Sequence, residues 1–129
     1  MSVDKQLYPC KCRCPCMQYM SRTPDEHWIK YYFLCVADKR YFLNGFPYRG
    51  KIATCDPSKH LDHHVVMNLG QPFLCCGRNI TTDNLFASLK LADELKQKGT
   101  SLIGTLWTSL KEVPPAVRGG DDVFYVTHL

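Results

Sequence analysis

The 129-residue sequence contains no apolar run near the ~18 residues that a membrane-crossing helix needs. Asp4 and Lys5 stand where the apolar core of a secretory signal would begin, so a soluble intracellular protein with no membrane partner is the expectation. Internal repeats and low-complexity segments are also lacking. The net charge is only +4, and basic residues are scattered apart from Lys39-Arg40. A mild positive excess suits an anionic partner without forming a compact nucleic-acid patch. What is there is globular in kind: 22% charged and 45% apolar residues, enough for one ordinary core and a single domain over residues 1–129.

Eight cysteines, Cys10, Cys12, Cys14, Cys16, Cys35, Cys55, Cys75 and Cys76, would suggest a disulfide framework in a secreted chain. Without a secretory signal they read as thiols or metal ligands. The first four alternate with Lys11, Arg13 and Pro15, so an extended chain would turn all four thiols to one side. A zinc or copper(I) site is one use of such a row. However, a straight strand spreads alternate side chains over ~20 Å at ~3.3 Å per residue, too far for one tetrahedral ion. Structural zinc usually joins C-x2-4-C knuckles from separate segments, and no second knuckle is present. The spacing therefore argues against zinc at Cys10, Cys12, Cys14 and Cys16 and favours a cysteine-rich strand or loop. His60 and His64, four apart, could share an ion on a helix. They lack the motif's Glu and a third ligand, so a solvated helix face is expected.

Aromatic and β-branched enrichment over Trp28–Val36, a break at Asp38-Lys39, and a second run from Arg40 to Asn44 predict a β-hairpin. Its second strand continues through Gly45–Lys51 to an edge, where Pro47 is tolerated. The tyrosines here could stack on nucleic-acid bases, but packing within the hairpin accounts for them more simply. Ile52–Ser58 reads as loop. Leu61, Val65 and Leu69 then predict a short amphipathic helix that stops at Gly70.

Beyond Gly77 the pattern predicts a strand ending at Asp83, a helix from Leu85 to Lys98 with Leu85, Leu89, Ala92 and Leu95 on its apolar stripe, a Gly99 stop, and a strand over Ser101–Leu106. This is one β-α-β unit. Trp107–Pro115 reads as loop, Gly119–Asp122 as a turn, and Val123–Thr127 as a last strand. Asp83 has two uses in this frame. Asp83 or Asn84 would serve as the helix N-cap, whose oxygen satisfies an orphan amide. Alternatively, Asp83 is a divalent-metal ligand, which needs partners elsewhere in the chain.

Asn79-Ile80-Thr81-Thr82-Asp83-Asn84-x-Phe86-x-Ser88, with Leu91-Ala92-x-x-Leu95 and Gly104-Thr105 behind it, resembles the second-aspartate segment of piggyBac-type transposases. Asp4-x-Gln6-Leu7 with Arg13-Cys14-Pro15 resembles the segment around that family's first catalytic aspartate. Ile29-Lys30, Cys35, Tyr41 and Asn44-Gly45-x-Pro47-Tyr48-x-Gly50 match in order and spacing between them, so the similarity runs through nearly the whole chain. The resemblance implies an α/β, ribonuclease H-like fold with a mixed sheet, a β-hairpin, a short helix and a β-α-β unit. It also implies a DDE/D mechanism in which three aspartates hold two magnesium ions. One ion activates water or a DNA 3′ hydroxyl and the other steadies the leaving oxygen. Asp4 and Asp83 match the first two acids and would be catalytic Mg²⁺ ligands, hard oxygen donors for a hard cation. DNA carrying TTAA sites, dimerisation and a nuclear location follow from the same resemblance.

The departures are specific. Lys5 stands where the family usually has Glu, a charge reversal next to Asp4 in the sequence. Leu85 and Ala87 replace an aromatic and the Thr of a Phe-Thr-Ser run. Leu106-Trp107-Thr108-Ser109-Leu110-Lys111 replaces a basic loop suited to phosphates. The family's third aspartate lies on a later helix, beyond the segments matched here, so an incomplete fold without the final catalytic helix is expected. Asp121 and Asp122 read as turn residues rather than substitutes. The family's N-terminal regions and C-terminal zinc finger have no counterpart, and Cys10–Cys16 overlays the Arg-Cys-Pro motif instead. The expectation is a transposase-derived chain that is inactive alone. The alternative is a non-catalytic DNA- or protein-interaction module, with zinc at Cys10–Cys16 as its test.

Overall fold

The computed structural model describes residues 1–22, 24–39, 41–50, 60–106, 115 and 124–127. In chain order its elements are β1 (Ser2–Pro9), β2 (Met17–Tyr19), β3 (His27–Cys35), β4 (Phe42–Pro47), α1 (Leu61–Gly70), a 3-10 turn (Gln71–Phe73), β5 (Asn79–Thr82), α2 (Leu89–Gln97), β6 (Ser101–Leu106) and β7 (Phe124–Thr127). The seven strands form one sheet in the order β2-β3-β1-β5-β6-β7, with β4 also paired to β3. β1 runs antiparallel to β3 along its full length, from Ser2↔Cys35 to Pro9↔Trp28. β2 and β4 share the other edge of β3, opposite its first and second halves respectively. β5 is parallel to β1 and to β6, and β7 is antiparallel to β6. Read from β4 through β3, β1 and β5 to β6, this is the mixed α/β sheet expected of a ribonuclease H-like fold.

Both helices pack on one face of this sheet. Val3 of β1, Tyr32 and Leu34 of β3, Ile80 of β5 and Leu102 of β6 join Val65, Val66 and Leu69 of α1 and Leu91, Ala92 and Leu95 of α2 in one buried cluster. Leu34, Leu95 and Leu102 are wholly buried, each worth ~1.5–3 kcal/mol relative to exposure. Strand alternation turns the intervening side chains, among them Asp4 of β1, Tyr31 and Phe33 of β3 and Thr81 of β5, to the opposite, open face.

The expected hairpin is present as β3 and β4, closed by a Val36 N–H to Tyr41 carbonyl bond of 2.8 Å. α1 carries the expected Val65 and Leu69 stripe. The helix expected from Leu85 is shorter: α2 starts at Leu89, and Leu85 is 41% exposed rather than part of the stripe. Its cap is Ser88, in extended conformation, whose hydroxyl accepts the Leu91 amide at 3.1 Å. Neither Asp83 nor Asn84 caps it. A hydroxyl poised before a run of good helix formers supplies the same orphan-amide partner that Asp83 was expected to supply. The Gly99 stop is observed: at φ +64, its N–H bonds Lys96 O and the Thr100 N–H bonds Leu95 O, a Schellman closure.

β1 and β2 have no counterpart among the elements predicted from periodicity. In β1 only Val3 is buried, and its extended state comes from pairing with β3 on one side and β5 on the other. The proposed loops at Ile52–Ser58 and Trp107–Pro115 lie outside the described residues, apart from Pro115. The Gly119–Asp122 turn, with Asp121 and Asp122, and Cys55 also lie outside them. Among the described residues, no helix is long and apolar enough to cross a membrane.

Candidate metal centre on the open sheet face

β1 and β5 meet in parallel at Ser2↔Thr81. The junction is tied by the Thr81 N–H to Met1 O bond and by the terminal amine of Met1 donating to Asn79 O, both 2.7 Å. Asp4 lies two residues beyond Ser2 in β1, and Asp83 two residues beyond Thr81, just past the end of β5. Alternation places Asp4 on the face opposite the helices. Val3 on β1 and Ile80 and Thr82 on β5 are buried, while Asp4, Thr81 and Asp83 are exposed. Asp4 thus lies within β1, and Asp83 just past the end of the neighbouring strand β5.

Asp83 follows the last residue of β5 and turns the chain there. Its carbonyl accepts from the Phe86 amide at 3.0 Å and the Ala87 amide at 3.2 Å, while its carboxylate accepts from the Asn84 amide at 2.7 Å. Phe86 and Ala87 are buried by this turn. Asp4 has the same local contact, its carboxylate accepting from the Lys5 amide at 2.7 Å. The turn is held from behind by Gly104 of β6, the register partner of Thr82. A Cβ at Gly104 would lie 2.8 Å from Thr82 Oγ1, 3.1 Å from Thr82 O and 3.2 Å from the Ala87 methyl. Only glycine lets β6 approach so closely.

Lys5, expected to disturb the cation site by reversing a charge, points the other way. It pairs in register with buried Tyr32 and interacts with Lys30 and with Asp62 in the first turn of α1. Burial pushes the Asp62 carboxyl up, against the opposing pull of His60, Lys5 and Lys30. Burial likewise depresses the Lys30 amine, with Lys5 adding to it and Asp62 opposing. The Tyr32 hydroxyl rises to about 12, mainly through burial, with Asp62 and Tyr48 adding to it. The sheet therefore separates this mixed-charge cluster from Asp4.

Beside Asp4 the open face carries a row of rings. Phe33 is its register partner and stacks on Tyr31 at 5.9 Å and 3° between planes. Tyr8 meets Tyr31 edge-on, and Phe42 meets Phe33 edge-on. The expectation that the tyrosines pack within the hairpin holds for Tyr31 against Phe33 and for Tyr32 against Tyr48, but not for Tyr41, which is exposed.

The cysteine row bends rather than running straight. Cys10 and Cys12 form a disulfide, and the Cys14 and Cys16 sulfurs lie 3.1 Å apart. The four are arranged as two pairs. Among the described residues, no group of three His, Cys, Asp or Glu side chains is placed to hold a metal ion. His60 is the N-cap of α1, and its carbonyl accepts from the His64 amide at 3.3 Å. Their neighbour His63 is instead buried, its Nε2 2.6 Å from Glu94 Oε2 of α2. That pair bridges elements 31 residues apart, so local spacing carries no sign of it. A pocket of about 370 Å³ lined by Pro9, Cys10, Lys11, Asp25, Glu26 and His27 lies at the far end of β1, away from both aspartates.

The family model described as Transposase IS4 matches residues 1–122. Among solved structures, this chain is similar to one in the cryo-EM structure of a piggyBac transposase synaptic complex with hairpin DNA. The TM-score is 0.80 and the identity 30%, over 93% of this chain and 25% of that chain. The chain therefore spans about a quarter of the length of that transposase. No curated protein matches it.

Proposed function

The chain belongs to the Transposase IS4 family, and on that premise we propose that residues 1–129 are part of one piggyBac-type catalytic domain whose partner is DNA and whose first two metal acids are Asp4 and Asp83. The observation that supports this reading is the parallel Ser2↔Thr81 pairing, with exposed Asp4 two residues further along β1 and exposed Asp83 at the turn that follows β5. Their donor chemistry fits magnesium, which binds through one or two carboxylates and completes its shell with water and phosphate oxygens. Bound there, the ion would supply Lewis-acid stabilisation of charge on a phosphoryl oxygen. The chain's own contribution is to hold the two carboxylates at fixed separation, one on a strand paired on both sides and one on a hydrogen-bonded turn. Nuclear location, dimerisation and TTAA preference belong to the same proposal.

Two acids hold a divalent ion less firmly than three, so the chain alone is proposed not to cut DNA. Purified protein incubated with Mg²⁺ or Mn²⁺ and TTAA-containing duplex is expected to give no nicks or strand transfer. Cleavage abolished by Asp83→Ala would show the chain to be self-sufficient. The site itself is read by Mn²⁺ paramagnetic broadening in NMR. Broadening centred on the amides around Asp4 and Asp83, and lost in Asp4→Asn and in Asp83→Asn, supports it. Broadening centred elsewhere refutes it.

A further inference from the structure

Cys14-Pro15-Cys16-Met17 is a β-turn closed by the Met17 N–H to Cys14 O bond at 3.1 Å. Pro15 sits at the second position, where its fixed φ pre-sets the turn. The turn brings two half-exposed thiols together with their sulfurs 3.1 Å apart, and the Cys16 amide donates to Cys14 Sγ at 3.4 Å. Four residues upstream, the same i to i+2 spacing is already closed as the Cys10–Cys12 disulfide, with Cα atoms 5.6 Å apart. The loop backbone therefore accommodates a bridge of this ring size. The metal site proposed on the open face makes no use of these sulfurs.

We propose that Cys14 and Cys16 form a thiol–disulfide exchange site for low-molecular-weight disulfides, with Cys14 as nucleophile and Cys16 as resolving thiol. The two sulfurs are not equivalent. The Cys16 thiol and amide, with Arg49 nearby, lower the Cys14 thiol below its ordinary value, whereas the contact with Cys14 and burial raise Cys16. The thiolate is the attacking species. Cys14 sulfur attacks one sulfur of a disulfide such as oxidised glutathione, forming a mixed disulfide and releasing one glutathione thiolate, which takes up a proton. Cys16, losing its proton to solvent, then attacks the Cys14 sulfur and releases the second glutathione. Two protein thiols are oxidised to one disulfide and one glutathione disulfide is reduced to two thiols. The second step is intramolecular and preorganised by the turn, so the mixed disulfide is short-lived. The bridge formed would staple the loop that leads from β1 into the edge strand β2.

The whole chain is treated with oxidised glutathione, quenched in acid, alkylated with N-ethylmaleimide and mapped by peptide mass spectrometry. Cys14 and Cys16 are expected to be lost together as an internal disulfide, ahead of the exposed Cys75 and Cys76. Cys16→Ser should trap glutathione on Cys14, and Arg49→Gln should slow Cys14 by about two- to fivefold, the size of one exposed charge interaction. First modification at Cys75 or Cys76, linkage of Cys14 to Cys12, or failure of Cys16→Ser to hold glutathione at Cys14 would each overturn the proposal. The order of modification in the unsubstituted chain decides the question even if a variant folds poorly.

Discussion

Gly104→Ala tests whether close approach of β6 to β5 holds the Asp83 turn. The added methyl meets Thr82 Oγ1 at 2.8 Å, Thr82 O at 3.1 Å and the Ala87 methyl at 3.2 Å. Two of these three neighbours, a backbone oxygen and an alanine methyl, have no rotamer by which to yield. Overpacking of this kind costs ~1–3 kcal/mol. The stiffer unfolded chain of alanine returns ~0.4–1 kcal/mol, leaving a net loss of roughly 1 kcal/mol at the middle of both ranges and ~2.6 kcal/mol at most. Urea unfolding followed by tryptophan fluorescence and circular dichroism reads this as a lower midpoint at unchanged slope. In the double variant Thr82→Ala/Gly104→Ala the closest contact is gone, and part of the loss should be recovered relative to the two single variants added together. A Gly104→Ala chain as stable as the parent, or a pair that is strictly additive, would refute the close-approach account. Amide shifts at Asn84 and Phe86 should move in the same variant, because the turn rests on Ala87.

Ser88→Ala removes the oxygen that accepts the Leu91 amide and is expected to cost ~1 kcal/mol in denaturant unfolding, with Ser88→Asp losing much less. His63→Ala and Glu94→Ala should show a coupling energy of ~1–3 kcal/mol in a double-mutant cycle, because the 2.6 Å contact joins a buried ring to a partly exposed carboxylate; additivity would deny that the pair ties α1 to α2. Asp62 has its carboxyl raised, chiefly by burial, so its contribution to stability is fullest below the ordinary carboxyl value of 3.8 and falls as pH rises through the raised one. Asp62→Asn is therefore expected to be more stable than the parent at pH 7 by under ~1 kcal/mol, given partial solvent screening. That advantage should close as the pH is lowered past 3.8, and a pH-independent difference in unfolding midpoint would contradict it.

Local sequence determined the elements whose signals are periodic or stereochemical. The β3 and β4 hairpin follows from aromatic runs around a short polar break, and α1 follows from Val65 and Leu69 at helical spacing. The end of α2 follows from Gly99, whose φ of +64 a residue without a Cβ adopts at little cost. Resemblance across nearly the whole chain pointed to Asp4 and Asp83. Tertiary structure decided the rest. β1 is too polar to declare itself and is a strand because it has partners on both edges. Asp83, Asn84 and Ser88 are all residues suited to cap a helix and lie within six positions; the turn closed by the Asp83 carbonyl leaves Ser88 in place as the cap of α2. The four cysteines looked like a straight row until Pro15 and the Cys14–Met17 turn folded them into pairs. His63 and Glu94 meet only when two helices share one sheet face. Asp4 and Asp83 are far apart in the chain, and what brings their segments side by side is the parallel pairing of β1 on β5, a backbone pairing that no local pattern encodes.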